Sequence, residues 1–162
     1  MDTSGLDLIE KIHSHFKNSR LKLSVAESCT GGLISHLLTN LPGASQFFDS
    51  SVITYSNESK TSLLGLRASL LEDHGAVSEE VARAMAAAVL RKRKTDFSLS
   101  VTGNLGPNPM EGKQVGLVYM AVAWKKSTRS KGMFFEGERE EIKYQTAVAS
   151  LRFLHEVVET RA

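Results

Sequence analysis

Leu23-Ser24-Val25-Ala26-Glu27-Ser28-Cys29-Thr30-Gly31-Gly32 runs from an apolar strand, through hydroxyls, a thiol and two glycines, into a helix. Leu21, Leu23 and Val25 alternate as in a half-buried strand, and Leu33, Ile34, Leu37, Leu38 and Leu41 fall on one helical face. The turn between them is expected to present unpaired backbone N–H groups and the positive end of a helix dipole to an anion. Gly31 and Gly32 would let a ligand approach the backbone closely, with Thr30 beside them. A plainer reading fits the same spacing: Ser28 or Thr30 caps the helix and the glycines permit packing.

The flanking chain supplies the rest of an α/β pattern. From about Gly5 to Lys17, Leu8, Ile9, Ile12 and Phe16 share one side of a helix. After the loop Leu41 to Ser45, a strand is expected near Ser51 to Tyr55, then a short helix from Ser56 to about Gly65. Ser78-Glu79-Glu80 opens a long helix that closes on Arg91-Lys92-Arg93-Lys94 and buries Val81, Met85 and Val89. Phe97, Leu99 and Val101 alternate as a third strand, followed by the Gly- and Pro-rich stretch Thr102 to Pro109, read as a loop without structure of its own. Leu117 to Trp124 and Met133 to Phe135 read as an antiparallel hairpin with Lys125 to Lys131 at its polar tip. A last helix from about Arg139 carries Ala147, Leu151, Leu154 and Val158 at helical spacing. The expected architecture is one three-layer α/β/α domain over residues 1–162, with helices on both faces of a mixed sheet of about five strands.

Composition narrows the function classes. A chain of 162 residues can bury a core without disulfides or metals. Twenty basic against 18 acidic residues give no reason to expect nucleic acid or a membrane as main partner. A nucleic-acid surface would require the basic clusters at 91–94 and 125–131 to meet in space. A single cysteine and the lack of a signal-like or membrane-spanning run point to a reducing cytoplasm. The five histidines show no metal-site spacing, and neither a phosphate-loop nor a dinucleotide glycine signature occurs, so no metal or cofactor is expected.

In such sheets ligands collect beyond the carboxyl ends of the strands, where Ser28, Tyr55 and Thr102 each follow a strand. A hydroxyl cluster, Tyr55 with Lys60, and the loop at Thr102-Gly103 suit acyl transfer. Serine needs a base to take its proton, and a lysine serves once burial lowers its pKa from about 10.4. Lys60 is the candidate base or proton shuttle, against the plainer reading of a solvated helix residue. Tyr55 reads equally as a half-buried strand aromatic. Backbone N–H groups at Gly31 and Gly32 are candidate oxyanion donors, each worth roughly 3 kcal/mol. Cys29 is a rival nucleophile, placed where a helix N-terminus would lower its pKa, or a small core residue.

Five motifs in order, Glu27 to Gly32, Pro42 to Ser45, Tyr55 to Lys60, His74 to Ser78, and Val101-Thr102-Gly103 with Gly106-Pro107, make the chain resemble the C-terminal domain of the CinA family, the nicotinamide mononucleotide amidohydrolases. The resemblance covers about Leu6 to Leu154. It implies hydrolysis of the carboxamide of nicotinamide mononucleotide (NMN) to nicotinic acid mononucleotide and ammonia, in pyridine nucleotide salvage, by a three-layer α/β/α protein that is usually a dimer. Ser28 matches the family's nucleophile, Tyr55 and Lys60 the tyrosine and lysine beside it, and Arg139 an arginine suited to a phosphate. The larger domain that often precedes this one is not expected here. One segment departs from the family: Asn108-Pro109-Met110-Glu111-Gly112 stands where further glycines usually follow Gly-Pro. Proline and methionine are stiffer and bulkier than glycine, which argues against close backbone approach there and leaves a catalytically impaired nucleotide-binding member as the alternative.

Overall fold

The computed structural model describes residues 3–160, so the outermost two positions at each end of the expected 1–162 domain lie outside the described residues. Six helices, α1 (Thr3–Asn18), α2 (Leu33–Thr39), α3 (Asn57–Leu64), α4 (Ala68–His74), α5 (Glu79–Arg93) and α6 (Arg139–Glu159), surround one sheet. Its strands are β1 (Leu23–Glu27), β2 (Phe48–Ile53), β3 (Phe97–Gly103), β4 (Leu117–Trp124) and β5 (Ser127–Phe134), in the order β2-β1-β3-β4-β5. β1 lies parallel to both β2 and β3, whereas β3–β4 and β4–β5 are antiparallel, which makes the sheet mixed as expected.

The two faces are covered differently. On one, Leu23 and Val25 of β1 and Phe97, Leu99 and Val101 of β3 pack with Ile9, Ile12 and Phe16 of α1, Ile34 and Leu38 of α2, and Leu151 and Leu154 of α6. On the other, Ala26 meets Val81, Met85 and Val89 of α5, with Leu64 and Leu71 of α3 and α4 behind them.

β1 is buried along its whole length rather than half-buried, because both faces carry helices. The alternation comes from α5 lying close on small residues. Ala82 and Ala86 of α5 meet Ala121 and Ala123 of β4, and the intervening serines of β3 reach helix carbonyls. Ser98 Oγ donates to Ala86 O at 2.8 Å and Ser100 Oγ to Ala82 O at 2.6 Å. The serines of β3 are therefore buried, hydrogen-bonded contacts with α5.

Three boundaries differ from the expectation. β2 begins at Phe48 and ends at Ile53, which leaves Tyr55 in the loop beyond it. The polar run at 125–131 is mostly strand: Trp124 pairs with Ser127, so the turn is only Lys125-Lys126, with Lys125 at φ 51°. β5 is an edge strand, where polar side chains are tolerated and discourage further pairing. α4 was not expected, because seven residues between Gly65 and Gly75 give too short a pattern to read. No helix among the described residues is long and apolar enough to cross a membrane.

Candidate active site

The parallel strands β1, β2 and β3 end at Glu27, Ile53 and Gly103, and the loops that follow them enclose a cavity of about 310 Å³. Ser28, Cys29, Tyr55, Lys60, Thr102 and Gly103 all line it, as does Arg139 from the start of α6. The three strand-end groups that sequence spacing singled out and the arginine that the resemblance added are thus brought to one place. Thr30, Gly31 and Gly32 are not among its walls.

Their absence has a clear cause in Glu27. This carboxylate is fully buried at the end of β1 and turns under the start of α2. Its Oε2 accepts from Thr30 Oγ1 (2.7 Å), Gly32 N (2.9 Å) and Ile34 N (3.2 Å). Its Oε1 accepts from Ser35 N (3.0 Å) and Ser35 Oγ (2.5 Å). Gly31 N donates to Ser28 O at 3.1 Å. The anion expected at this helix start is therefore the protein's own, and the donors proposed for an oxyanion or a phosphate are engaged. Neither Ser28 nor Thr30 serves as the helix cap. Gly31 (φ 58°) and Gly32 (φ 101°) are needed because the chain turns through the left-handed region to wrap this carboxylate.

Ser28 is thereby held at the cavity wall, its N–H donating to Val101 O at 3.1 Å. Lys60, on α3, is only 1 % exposed. Its Nζ donates to Thr54 O at 2.9 Å and lies 3.0 Å from Ser28 Oγ. Burial pushes the ammonium below its ordinary value of 10.5, opposed by the nearby Cys29 thiol and Glu111 carboxylate. α3 can aim this lysine inward because its first turn is fixed by a reciprocal cap, Ser59 N to Ser56 Oγ and Ser56 N to Ser59 Oγ, both at 3.0 Å. A solvated Lys60 is therefore not what the fold contains.

Cys29 behaves as a small core residue with one face on the cavity. Burial pushes its thiol up to about 12, despite the adjacent backbone N–H groups and Lys60, so it is protonated at neutral pH. The lowering expected at a helix start is outweighed by burial, and the Glu27 carboxylate under that start adds to the upward shift.

Tyr55 is exposed, and its hydroxyl accepts from Arg139 Nη2 at 2.7 Å. Arg139 Nη1 donates to Gly106 O, so the guanidinium bridges two walls of the cavity. Thr102 contributes backbone only, because its buried hydroxyl donates to Ala76 O at 2.7 Å. Gly103 is required by packing: a Cβ there would stand 2.4 Å from Val118 Cγ1 of β4.

The stretch after Thr102 is more ordered than its composition suggests. Asn104 Nδ2 donates to Asn108 O and Lys113 O, both at 3.1 Å, and its Oδ1 accepts from Gly106 N at 3.0 Å. Met110 and Lys113 exchange two backbone bonds, of 3.2 and 2.8 Å, across a two-residue turn. Both turn residues, Glu111 (φ 53°) and Gly112 (φ 70°), lie in the left-handed region, the geometry of a tight hairpin. Met110 and Glu111 are thereby carried into the cavity wall. Sequence spacing alone did not signal Asn104, Glu111 or Glu27 as site-building residues; a glutamate closing the strand just before the glycines was the available clue.

The chain matches the family model of the CinA C-terminal domain over residues 6–158. It belongs to the CinA family. A CinA-like protein of Geotalea daltonii is 46 % identical over 140 residues, which is 86 % of this chain and 34 % of that protein. A CinA-like protein of Geobacter sulfurreducens is 44 % identical over 140 residues, with the same shares of 86 % and 34 %. The chain thus spans about a third of the length of these curated CinA relatives. Solved CinA-type structures match over nearly their full length. Competence damage-inducible protein A of Klebsiella pneumoniae superposes with a TM-score of 0.94 at 30 % identity, covering 98 % of this chain and 99 % of that one. A competence/damage inducible protein of Agrobacterium tumefaciens gives 0.90 at 34 % identity, with 95 % of each chain covered.

Elsewhere on this CinA domain, a wider groove of about 810 Å³ between α1 and α6 holds none of the strand-end residues. The two basic clusters do meet, with Arg91, Lys94, Lys125 and Lys126 around one hollow. Arg93 is turned instead to Asp49 at 2.8 Å. Four cations beside the last turn of α5 complement its dipole. Among the described residues no group of His, Cys, Asp and Glu is placed to hold a metal ion.

Proposed function

We propose that this domain hydrolyses the carboxamide of NMN to nicotinic acid mononucleotide and ammonia, with Ser28 as nucleophile and Lys60 as its base. The observation that carries this reading is the 3.0 Å approach of Lys60 Nζ to Ser28 Oγ in a buried setting that favours the neutral amine. A neutral lysine has one lone pair and two N–H bonds. It can donate to Thr54 O while accepting the Ser28 proton.

The steps balance without a further reagent. Ser28 Oγ attacks the carboxamide carbon as its proton passes to Lys60 Nζ. Collapse of the tetrahedral species breaks the C–N bond, and the departing nitrogen takes that proton and leaves as ammonia. Water then adds to the resulting ester, giving one proton to Lys60, and Ser28 recovers it as the acid is released. Arg139, with donors beyond those bound to Tyr55 and Gly106, is the candidate partner for the phosphate. The helix start after Ser28 is not assigned that task, because Glu27 fills it.

A cytoplasmic setting accompanies this reading on the single cysteine and the lack of a signal-like run, and a homodimer on the family resemblance; light scattering at twice the chain mass would support the dimer. The deciding experiment incubates the purified protein with NMN and measures ammonia and nicotinic acid mononucleotide, with Ser28→Ala as control. Stoichiometric release that the substitution abolishes is the expected result. NMN binding without release would overturn the reading in favour of a binding module.

A further inference from the structure

The segment that departs from the family pattern places a carboxylate, Glu111, on the wall of the cavity that holds Ser28 and Lys60. Charged side chains on the cavity wall are three: Lys60, Arg139 and Glu111. Glu111 is the sole anion among them. Its position is built by two neighbouring features rather than by chance exposure. The left-handed turn at Glu111-Gly112 carries the side chain back across the Gly75–Val77 turn, where Oε2 faces Val77 N at 3.4 Å. Gly75 makes room for it, since a Cβ at that residue would stand 2.5 Å from the same oxygen. Arg139 is tied to Tyr55 and Gly106, and Glu111 to the Gly75–Val77 turn, so the two opposite charges enter from different walls.

NMN has a matching pair of opposite charges. Its ring nitrogen is quaternary and cationic, and its phosphate is anionic. The reduced form, with the same ribose phosphate and carboxamide, has a neutral dihydropyridine ring. We propose that Glu111 is a specificity-determining residue that supplies the counter-charge for an N-substituted pyridinium, so that the cavity selects the oxidised ring over the reduced one. This inference rests on the amidohydrolase reading for the identity of the ligand. The selection needs no contact with the amide itself, and it gives the departing segment a role that glycines could not fill.

Binding is measured by calorimetry in a Ser28→Ala background, which prevents turnover, with NMN and reduced NMN as probes and with Glu111→Gln added. Glutamine keeps the length and one acceptor oxygen for Val77 N while removing the charge. Affinity for NMN is expected to exceed that for reduced NMN by about tenfold, the size of one partly screened charge pair, and Glu111→Gln is expected to bring the ratio close to one. A purely structural role for Glu111 would lower both affinities together and leave the ratio in place; that result, or no change at all, overturns the proposal. Ammonia release by the unsubstituted protein is assayed in parallel. Release with an unmoved ratio removes the Glu111 assignment alone, and a collapsing ratio without release removes the hydrolytic reading alone. Absence of both NMN binding and release removes the two together.

Discussion

Lys60 Nζ and Ser28 Oγ lie 3.0 Å apart although 32 positions of sequence separate them. The contact crosses from α3 to the end of β1, and the same amine is anchored on Thr54 O. If Lys60 is the base, Lys60→Arg should lose at least about two orders of magnitude in turnover with NMN binding retained. Arginine keeps the charge but does not release its proton at working pH. Steady-state ammonia release decides it; near-normal turnover would reduce Lys60 to a charge.

The same burial makes a prediction for pH. With Lys60 held below 10.5, the neutral amine gains population as pH rises through the depressed value, so kcat should climb over that interval. Stability has the same sign: between the depressed value and 10.5 the unfolded chain binds more protons than the folded one, so unfolding free energy rises with pH. Lys60→Met removes this dependence. Melting curves should show the variant comparing more favourably with the unsubstituted protein at pH 7 than at pH 10; a difference independent of pH would show that Lys60 is not desolvated.

Cys29→Ala should retain most of any activity, whereas Ser28→Ala should abolish it. A thiol pushed up to about 12 is also expected to resist alkylation by iodoacetamide at pH 8 until the protein is unfolded. Rapid labelling of the folded protein would place a reactive thiolate in the cavity and reverse the assignment.

Glu27→Ala should destabilise the fold by about 3–4 kcal/mol, because two buried and two partly buried donors lose their acceptor at once and each unsatisfied buried group costs about 1–3 kcal/mol before relaxation. Urea unfolding measures this. A loss below 1 kcal/mol would mean that water replaces the carboxylate readily.

Arg139→Ala should erase a preference for NMN over nicotinamide riboside. A charge-assisted phosphate bond is worth about 1.5–3 kcal/mol, so the lost discrimination should amount to roughly ten- to a hundredfold in Kd. Equal affinities for the two ligands in the unsubstituted protein would remove the phosphate from Arg139.

Periodicity by itself determined the helix faces at Leu8 to Phe16, Val81 to Val89 and Ala147 to Val158, and the apolar strand positions 23, 25, 97, 99 and 101, since a repeat near 3.6 or 2 is a local property that burial then confirms. The strand pattern likewise put Ser28, Tyr55 and Thr102 at strand ends on one side of the sheet, and the family resemblance singled out Arg139; all four line one cavity. Tertiary structure decided what is available inside it. Gly31, Gly32 and Thr30 looked like an open anion site because sequence cannot show that Glu27, adjacent in the chain, folds back onto α2 and occupies their donors. Lys60 looked equally like a surface residue until packing of α3 buried it, and Cys29 looked activated until the same packing desolvated it. Charge state and donor availability depend on which groups meet across long separations, and that is a property of the folded surface rather than of any local pattern.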